Sequence, residues 1–330
     1  MTSMMQRRAF LTGMAAVLTA PLVGEGQLAT KIARLGLLAS TSLDTARTSI
    51  GMFRAELDRL GWRDGENLRI EARFADEQYE RLPRLAGELV QLKVDVIFAQ
   101  ATPAIQAARR ATATIPIVFE TLGDAVGTGL VSNLARPGGN VTGVSGFAPE
   151  LNGKRLELIR ELLPRTSRVA LLVNRTNPAT KAVLSRATES AAAMRLTLFV
   201  ADARSPSALD RSFEEIIEQR SEALLLAADP MLFGQRRRII DFAARHRLPA
   251  VYEYRVFPEL GGLLSYGPEP YDRYRRAAAY VDRILRGARA GDLPVEQPSS
   301  FELVLNLKTA KAIALTIPPS LLLRADQVIE

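Results

Sequence analysis

The sequence predicts an α/β fold of two lobes, each a doubly wound parallel sheet, joined by three crossing strands that form a hinge. From residue 31 onward, short apolar runs alternate with amphipathic stretches, a pattern typical of parallel strands covered by helices. The alternation runs twice through the chain, with predicted strands beginning 23 to 36 residues apart in the first half and 26 to 28 apart in the second. The halves share an order of elements rather than a sequence, so they indicate two similar lobes without establishing duplication.

The first half contains four predicted strands and three predicted helices. Asp44 can cap the first helix, which places Ile50, Phe53 and Leu57 on one face and stops at Gly61. The other two helices lie near 79–91 and 102–112. The predicted strands are Ile32–Leu38, Leu68–Phe74, Val94–Ala99 and Ile117–Glu120.

The second half repeats this order after a glycine-rich passage. Its helices are predicted near 179–193, 208–219 and 231–246. Its strands begin near Val169, Thr197, Ala223 and Ala250.

Three passages rich in glycine or β-branched residues are predicted to cross between the lobes. They are Pro137–Gly146, Gly261–Gly267 and Phe301–Asn306. A helix near 271–287 would then pack back on the first lobe. The expected divisions are lobe 1 at 31–143 plus about 267–296, and lobe 2 at 147–263 plus about 301–330.

The N-terminus predicts an export signal rather than part of the fold. Arg7 and Arg8 precede an uncharged apolar run from Leu11 to Val23, which is a basic region followed by a hydrophobic region. As a helix this run would rise only about 20 Å, short of the roughly 30 Å of a bilayer core. Residues 1–26 therefore resemble a twin-arginine signal peptide, with Sec export left open. The expected location is the periplasm.

Composition excludes several classes of function. A chain of 330 residues with 47% hydrophobic content can bury two cores. The net charge is +7, but basic and acidic residues are interspersed, and the densest basic run, Arg236–Arg238, has no interleaved aromatics. We therefore predict no nucleic-acid partner. The absence of cysteine excludes disulfides, thiolate nucleophiles, Cys-based zinc sites and a lipid anchor on cysteine.

Ligands of open parallel sheets bind beyond the carboxyl ends of the strands, so residues at those ends are candidates. Thr102, Asn177 and Asp229 each precede a proline, which predicts a helix N-cap followed by proline in the first turn. Thr102 and Asn177 suit a ligand carboxylate, whereas Asp229 suits an ammonium group. Together they predict a zwitterion such as an amino acid. The alternative is that all three are ordinary helix caps.

Further polar and aromatic residues occupy the same predicted edges. Tyr252 or Phe147 can stack on an apolar group, although core packing explains either equally well. Trp62 and the single histidine, His246, are predicted to have structural roles, in packing and at a helix C-terminus. The remaining candidates for ligand binding are Ser40, Ser42, Thr121, Asp124, Asn174, Glu253 and Tyr266.

Motifs for catalysis are not found in the sequence. The glycine cluster Gly127–Ser132 fits neither nucleotide fingerprint, and no Gly-x-Ser-x-Gly elbow occurs. One histidine at a helix end does not suit a catalytic triad. Carboxylates are plentiful, but their spacing selects no pair. We predict that the protein is not an enzyme and needs no cofactor.

Long runs of residues resemble the ABC transporter substrate-binding proteins related to the tryptophan and tyrosine uptake component. These runs are Ile115–Phe119, Gly129–Gly143, Gly261–Gly267, Asp292–Pro298, Phe301–Ala310 and Leu315–Leu322. The resemblance implies the type I periplasmic-binding fold, a clamp that closes on a small-molecule ligand and docks on an ABC permease in the inner membrane. The family typically has Asp-Pro-Val where this sequence has Asp124 followed by Ala125.

The expected function is therefore that of a periplasmic solute-binding protein of an ABC importer. We expect a monomer that captures an amino acid between its lobes, and the resemblance points to an aromatic one. A periplasmic sensor that presents its ligand-bound form to a signalling receptor uses the same clamp and is the alternative.

Overall fold

The computed structural model describes residues 32–330, so the predicted export signal at residues 1–26 lies outside the described part. Lobe 1 is built on a parallel five-stranded sheet in the order β2-β1-β3-β4-β5. Its strands are β1 (Ala33–Ala39), β2 (Leu68–Phe74), β3 (Val96–Gln100), β4 (Ile117–Thr121) and β5 (Val141–Ser145).

Lobe 2 is built on a seven-stranded sheet in the order β12-β11-β10-β9-β8-β6-β7. Its strands are β6 (Arg168–Val173), β7 (Thr197–Asp202), β8 (Ala223–Leu226), β9 (Ala250–Tyr252), β10 (Leu264–Pro268), β11 (Phe301–Asn306) and β12 (Gln327–Ile329). The predicted two-lobed α/β fold is confirmed, with one difference. The pair β10–β11 is antiparallel, because β10 leads the chain out of lobe 2 and β11 leads it back in.

Helices cover both sheets. They are α1 (Leu43–Arg59), α2 (Leu82–Gln91), α3 (Thr102–Ala111), α4 (Ala148–Leu162), α5 (Thr180–Ala193), α6 (Leu209–Glu218), α7 (Pro230–Gly234), α8 (Arg236–Arg245), α9 (Val256–Glu259), α10 (Pro270–Leu285), α11 (Leu307–Ala312) and α12 (Pro319–Arg324). The helix predicted near 231–246 is divided into α7 and α8, because Gln235 leaves helical geometry with φ −92° and ψ 13°. The helix predicted near 79–91 begins with a 3₁₀ turn, Tyr79–Arg81.

Each sheet is buried on both faces, as parallel sheets require. In lobe 1, α1 and α10 cover one face and share a core that includes Phe53 and Val281. The helix predicted near 271–287 thus packs on lobe 1, although it follows a strand of lobe 2. Trp62 packs against this core, as predicted, and its Nε1 donates to Asp282 of α10 at 2.8 Å. No helix within residues 32–330 combines the length and apolar character that a membrane span requires.

The three crossings between the lobes meet in an aromatic cluster. The ring of Phe301, from the third crossing, lies 6.2 Å from the ring of Phe147 and 6.2 Å from that of Tyr266. Gly143 enters the first crossing with φ +152°, and a Cβ at this position would lie 2.1 Å from the carbonyl oxygen of Phe119. Any side chain here would therefore force β4 and β5 apart.

Candidate functional site

A cavity of about 490 Å³ lies between the carboxyl ends of the strands of the two lobes. This is within the range of roughly 300 to 1,000 Å³ found for small-molecule sites. Lobe 1 contributes residues that follow β1, β3 and β4, together with the start of α10. Lobe 2 contributes residues that follow β6, β8 and β9. The cavity therefore lies beyond the carboxyl ends of the strands, as the sequence predicted.

The lobe 1 side of the cavity carries two buried threonines. The hydroxyl groups of Thr102 and Thr121 lie 3.0 Å apart, and Thr121 Oγ1 accepts a bond from Gly123 N at 2.9 Å. A Cβ on Gly123 would lie 2.8 Å from Thr102 Oγ1, so glycine leaves room for the pair. Ser40 also lines the cavity, and its hydroxyl donates to the carbonyl of Gln100 at 3.4 Å.

Thr102 is not the N-cap that the sequence predicted. It is the first residue of α3 rather than its N-cap, and the cap position is taken by Ala101 with φ 68°. Asn177 is not an N-cap either, because α5 begins only at Thr180. Its side-chain oxygen instead accepts from Ala179 N at 3.0 Å within a turn. Both residues nevertheless line the cavity.

Asp229 lies on the lobe 2 side of the cavity and is the N-cap of α7, as the sequence predicted. Its Oδ1 accepts from Leu232 N at 3.0 Å and from Asn174 Nδ2 at 3.3 Å. Its Oδ2 accepts from Asn177 Nδ2 at 2.9 Å and from the hydroxyl of Tyr79 at 2.8 Å. Burial raises the pKa of this carboxyl, and the four bonds act in the opposite direction.

These four donors match the roughly four lone-pair positions of a carboxylate. The expectation that Asp229 receives a ligand ammonium group does not fit this conformation. One donor, Tyr79, comes from lobe 1, so the carboxylate also connects the lobes.

Aromatic rings form part of the cavity wall. Tyr254 and Phe233 meet edge to face at 5.5 Å, and the Arg273 guanidinium lies 5.4 Å from the Tyr254 ring and 5.7 Å from that of Tyr274. Sequence reasoning missed Tyr254 and selected Tyr252. The rule that ligands bind beyond the ends of strands could have pointed to Tyr254, because Tyr252 is the last residue of β9 and Tyr254 lies beyond its end.

A buried ion pair between Glu120 of β4 and Arg273 of α10 was also missed. Both residues line the cavity, and their side chains are 5% and 2% exposed. Burial lowers the pKa of Arg273. No sequence signal joins two residues so far apart, because the contact exists only once α10 returns to lobe 1.

Six of the predicted ligand-binding residues lie outside the lining of the cavity. Ser42 caps α1, and Asp124 Oδ1 accepts from Val126 N in its own loop. Asn174 supports Asp229, as described above. The other three are Tyr252, Glu253 and Tyr266.

These last three have places in the interior or the hinge. Tyr252 is fully buried and stacks on Phe257 at 4.5 Å. Tyr266 belongs to the aromatic cluster of the hinge. Glu253 is fully buried near Arg155, whose Nε donates to the carbonyl of Tyr266 at 2.8 Å. Burial raises the pKa of Glu253 to about 8, and the positive charge of Arg155 opposes this shift.

The comparison with known proteins assigns the family. The family model for ABC transporter substrate binding protein matches residues 31–329. The chain belongs to this family. Its members bind the substrates of ABC transporters and typically act outside the cytoplasm together with a transporter permease. The match confirms the family that the sequence predicted.

Three relatives illustrate the similarity. The tyrosine-binding protein of Clostridioides difficile is 26% identical over 84% of this chain and 79% of its own length. A conserved domain protein of Vibrio cholerae is 28% identical, with a TM-score of 0.85 over 90% of this chain and 100% of that one. An ABC domain from Streptococcus pneumonia, solved in complex with L-Trp, is 25% identical, with a TM-score of 0.83 over 90% of this chain and 99% of that one.

Proposed function

We propose that this protein captures an aromatic amino acid in the inter-lobe cavity and delivers it to the permease of an ABC importer. The observation that carries the proposal is the composition of the cavity, in which a buried hydroxyl pair and Asn177 lie in the same space as an aromatic wall. Relatives of similar length are a tyrosine-binding protein and a domain that holds L-Trp, which supports the same class of ligand.

In this proposal the polar and apolar parts of the ligand are recognised by different residues. Thr102, Thr121 and Asn177 bind the carboxylate, because hydroxyl and amide groups donate to it and the start of α3 adds partial positive charge. Ser40 lies on the same side of the cavity. Tyr254 and Phe233 contact the aromatic ring, since aromatic pairs gain roughly 0.5–1.5 kcal/mol beyond area burial.

The proposal includes export. The arginine pair and the apolar run within residues 1–26 support secretion into the periplasm. We propose that the protein acts there as a monomer, and the absence of cysteine from the sequence leaves no site for a lipid anchor on cysteine. There the protein would present its closed, ligand-bound form to the permease.

Calorimetry and thermal-shift measurements on residues 27–330 test the ligand class. L-tryptophan, L-tyrosine and L-phenylalanine are expected to raise the melting temperature, because a ligand at 100 times its Kd adds about 2.7 kcal/mol. Tryptamine, which lacks the carboxylate, is expected to bind far more weakly. If a sugar or nucleoside stabilises the protein and no aromatic amino acid does, the proposal is wrong.

Uptake measurements test the transport role. Cells that lack the gene should lose high-affinity uptake of the ligand identified by calorimetry, and the intact gene should restore it. Normal uptake combined with loss of a transcriptional or chemotactic response would instead indicate a sensor.

A further inference from the structure

We propose that Tyr79 is a positioning residue that latches lobe 1 to Asp229 of lobe 2 when the cavity closes. This inference rests on the proposed function, since it concerns how the same cavity holds its ligand. Tyr79 does not line the cavity. It can therefore change ligand affinity only through the arrangement of the lobes or through Asp229.

The chain holds Tyr79 in place with an unusual loop after β2. Asp76 and Glu77 are consecutive left-handed residues, with φ values of 52° and 62°, a conformation that is uncommon for residues other than glycine. Glu77 N donates to Ser40 O at 3.0 Å. The Glu77 carboxylate accepts from Ser42 N at 3.2 Å and from the hydroxyl of Thr45 at 3.3 Å. These bonds fix the loop to the start of α1.

The hydroxyl of Tyr79 uses both of its bonding capacities in lobe 2. It donates to Asp229 Oδ2 at 2.8 Å and accepts from Met231 N at 3.1 Å, in the first turn of α7. One oxygen thus satisfies a buried carboxylate and a free N–H of a helix start. The Tyr79 ring packs against the apolar cores of both lobes.

The same loop contacts the other end of α7. A Cβ on Gly234 would lie 2.7 Å from Glu77 Oε1, so glycine permits this close approach. The loop of lobe 1 therefore meets α7 at its first turn through Tyr79 and at its last residue through Glu77. Separation of the lobes would break both contacts together.

Separation of the lobes would also remove a hydrogen-bond donor from Asp229. Without Tyr79, its Oδ2 keeps only Asn177 as a protein donor, and Met231 N loses its acceptor. The latch therefore favours the closed form and holds Asp229 in one orientation. Its loss should speed ligand release more than it slows ligand entry, because the latch is made only in the closed form, from which the ligand is released.

The test compares Tyr79→Phe with Tyr271→Phe. The control removes a phenol hydroxyl that lies in lobe 1, 3.5 Å from Glu56. The ligand is the aromatic amino acid that the unchanged protein binds most tightly. We expect Tyr79→Phe to raise its Kd about tenfold, which corresponds to about 1.4 kcal/mol, mainly by raising koff. The control should bind like the unchanged protein. Equal koff in the two variants would overturn the proposal.

Lobe closure can be measured directly, because the sequence contains no cysteine. Spin labels at Arg110→Cys in lobe 1 and Glu218→Cys in lobe 2 report the inter-lobe distance with and without L-tryptophan. Tyr79→Phe should shift the distances toward the open form, and an unchanged distribution would overturn the latch. The ligand-free measurement keeps this test independent of the proposed function, which fails separately if the unchanged protein binds no aromatic amino acid.

A double-mutant cycle with Asp229→Asn gives a second readout. If Tyr79 acts through Asp229, the double variant should lose little more affinity than the more affected single variant. Fully additive losses would mean that the two residues act separately, and they would overturn the latch.

Discussion

Thr102 and Thr121 bring their hydroxyl groups to within 3.0 Å of each other, although one residue begins α3 and the other ends β4. Thr121 is also held by the main chain, because its Oγ1 accepts from Gly123 N, and Thr102 is bonded in turn to Thr121. The pair is therefore ordered by contacts within lobe 1 alone, so little side-chain entropy should be lost when a carboxylate binds.

Thr102→Val should weaken aromatic amino-acid binding tenfold or more. Valine keeps the shape of threonine, while a hydrogen bond to a charged group contributes roughly 1.5–3 kcal/mol. Calorimetry measures the change. Thr128→Val is the matched control, because its hydroxyl donates to Asp124 O outside the cavity, and its Kd should stay the same. Equal losses in the two variants would show that the hydroxyl pair has no part in recognition.

Tyr254→Ala should reduce affinity for an aromatic ligand by tenfold or more, since the variant removes a ring from the cavity wall. Tyr252→Phe should leave the Kd unchanged, because the Tyr252 hydroxyl is buried without a hydrogen-bond partner among the described residues. Titration calorimetry on both variants separates the two tyrosines. A loss confined to Tyr252→Phe would restore the original prediction from the sequence.

Arg273→Met should destabilise the ligand-free protein by about 3–5 kcal/mol, because it leaves the carboxylate of Glu120 buried without its partner. The double variant Glu120→Leu with Arg273→Met should recover most of this loss, since neither charge then remains. Urea unfolding gives both free energies. A double variant no more stable than the single one would contradict this account of the pair.

Glu253→Gln should alter the pH dependence of stability. The pKa of Glu253 is raised to about 8 in the folded protein, so between about pH 4.5 and pH 8 the folded state keeps a proton that the unfolded state releases. The folded state is therefore stabilised by this bound proton at low pH, and that contribution to the free energy of unfolding is lost as the pH rises through this range.

The variant has no such proton, so its stability relative to the unchanged protein should increase with pH. Melting temperatures at about pH 5 and about pH 9 measure the difference, with the exposed Glu66→Gln as control. A constant difference across this range would show that Glu253 stays ionised in the folded protein.

Local patterns were sufficient to predict most of the fold. The predicted strand Leu68–Phe74 has the same limits as β2, because this edge strand alternates apolar and charged residues along its whole length. The division of the helix near 231–246 was not predicted, since it depends on a few backbone angles around Gln235. The antiparallel β11 was not predicted either, because strand direction depends on where the chain re-enters the lobe.

The site was predicted only in part. Ser40, Thr102, Thr121, Asn177 and Asp229 line the cavity, because each follows or ends a strand whose position the sequence indicates. Tyr254 also follows a strand end but was not selected, and the Glu120–Arg273 pair could not be predicted because it depends on the return of α10 to lobe 1.

The sequence by itself determined the two-lobed α/β architecture and the edge of each sheet at which a cavity forms, since hydrophobic periodicity and strand polarity are local properties. Tertiary structure decided what each polar group does there. The carboxylate of Asp229 binds Asn174, Asn177 and Tyr79 because two distant segments, the turn after β6 and the loop after β2, converge on it. Hydrogen-bond partners separated by up to 150 residues leave no periodic trace in the sequence, and only the packing of one lobe against the other selects them.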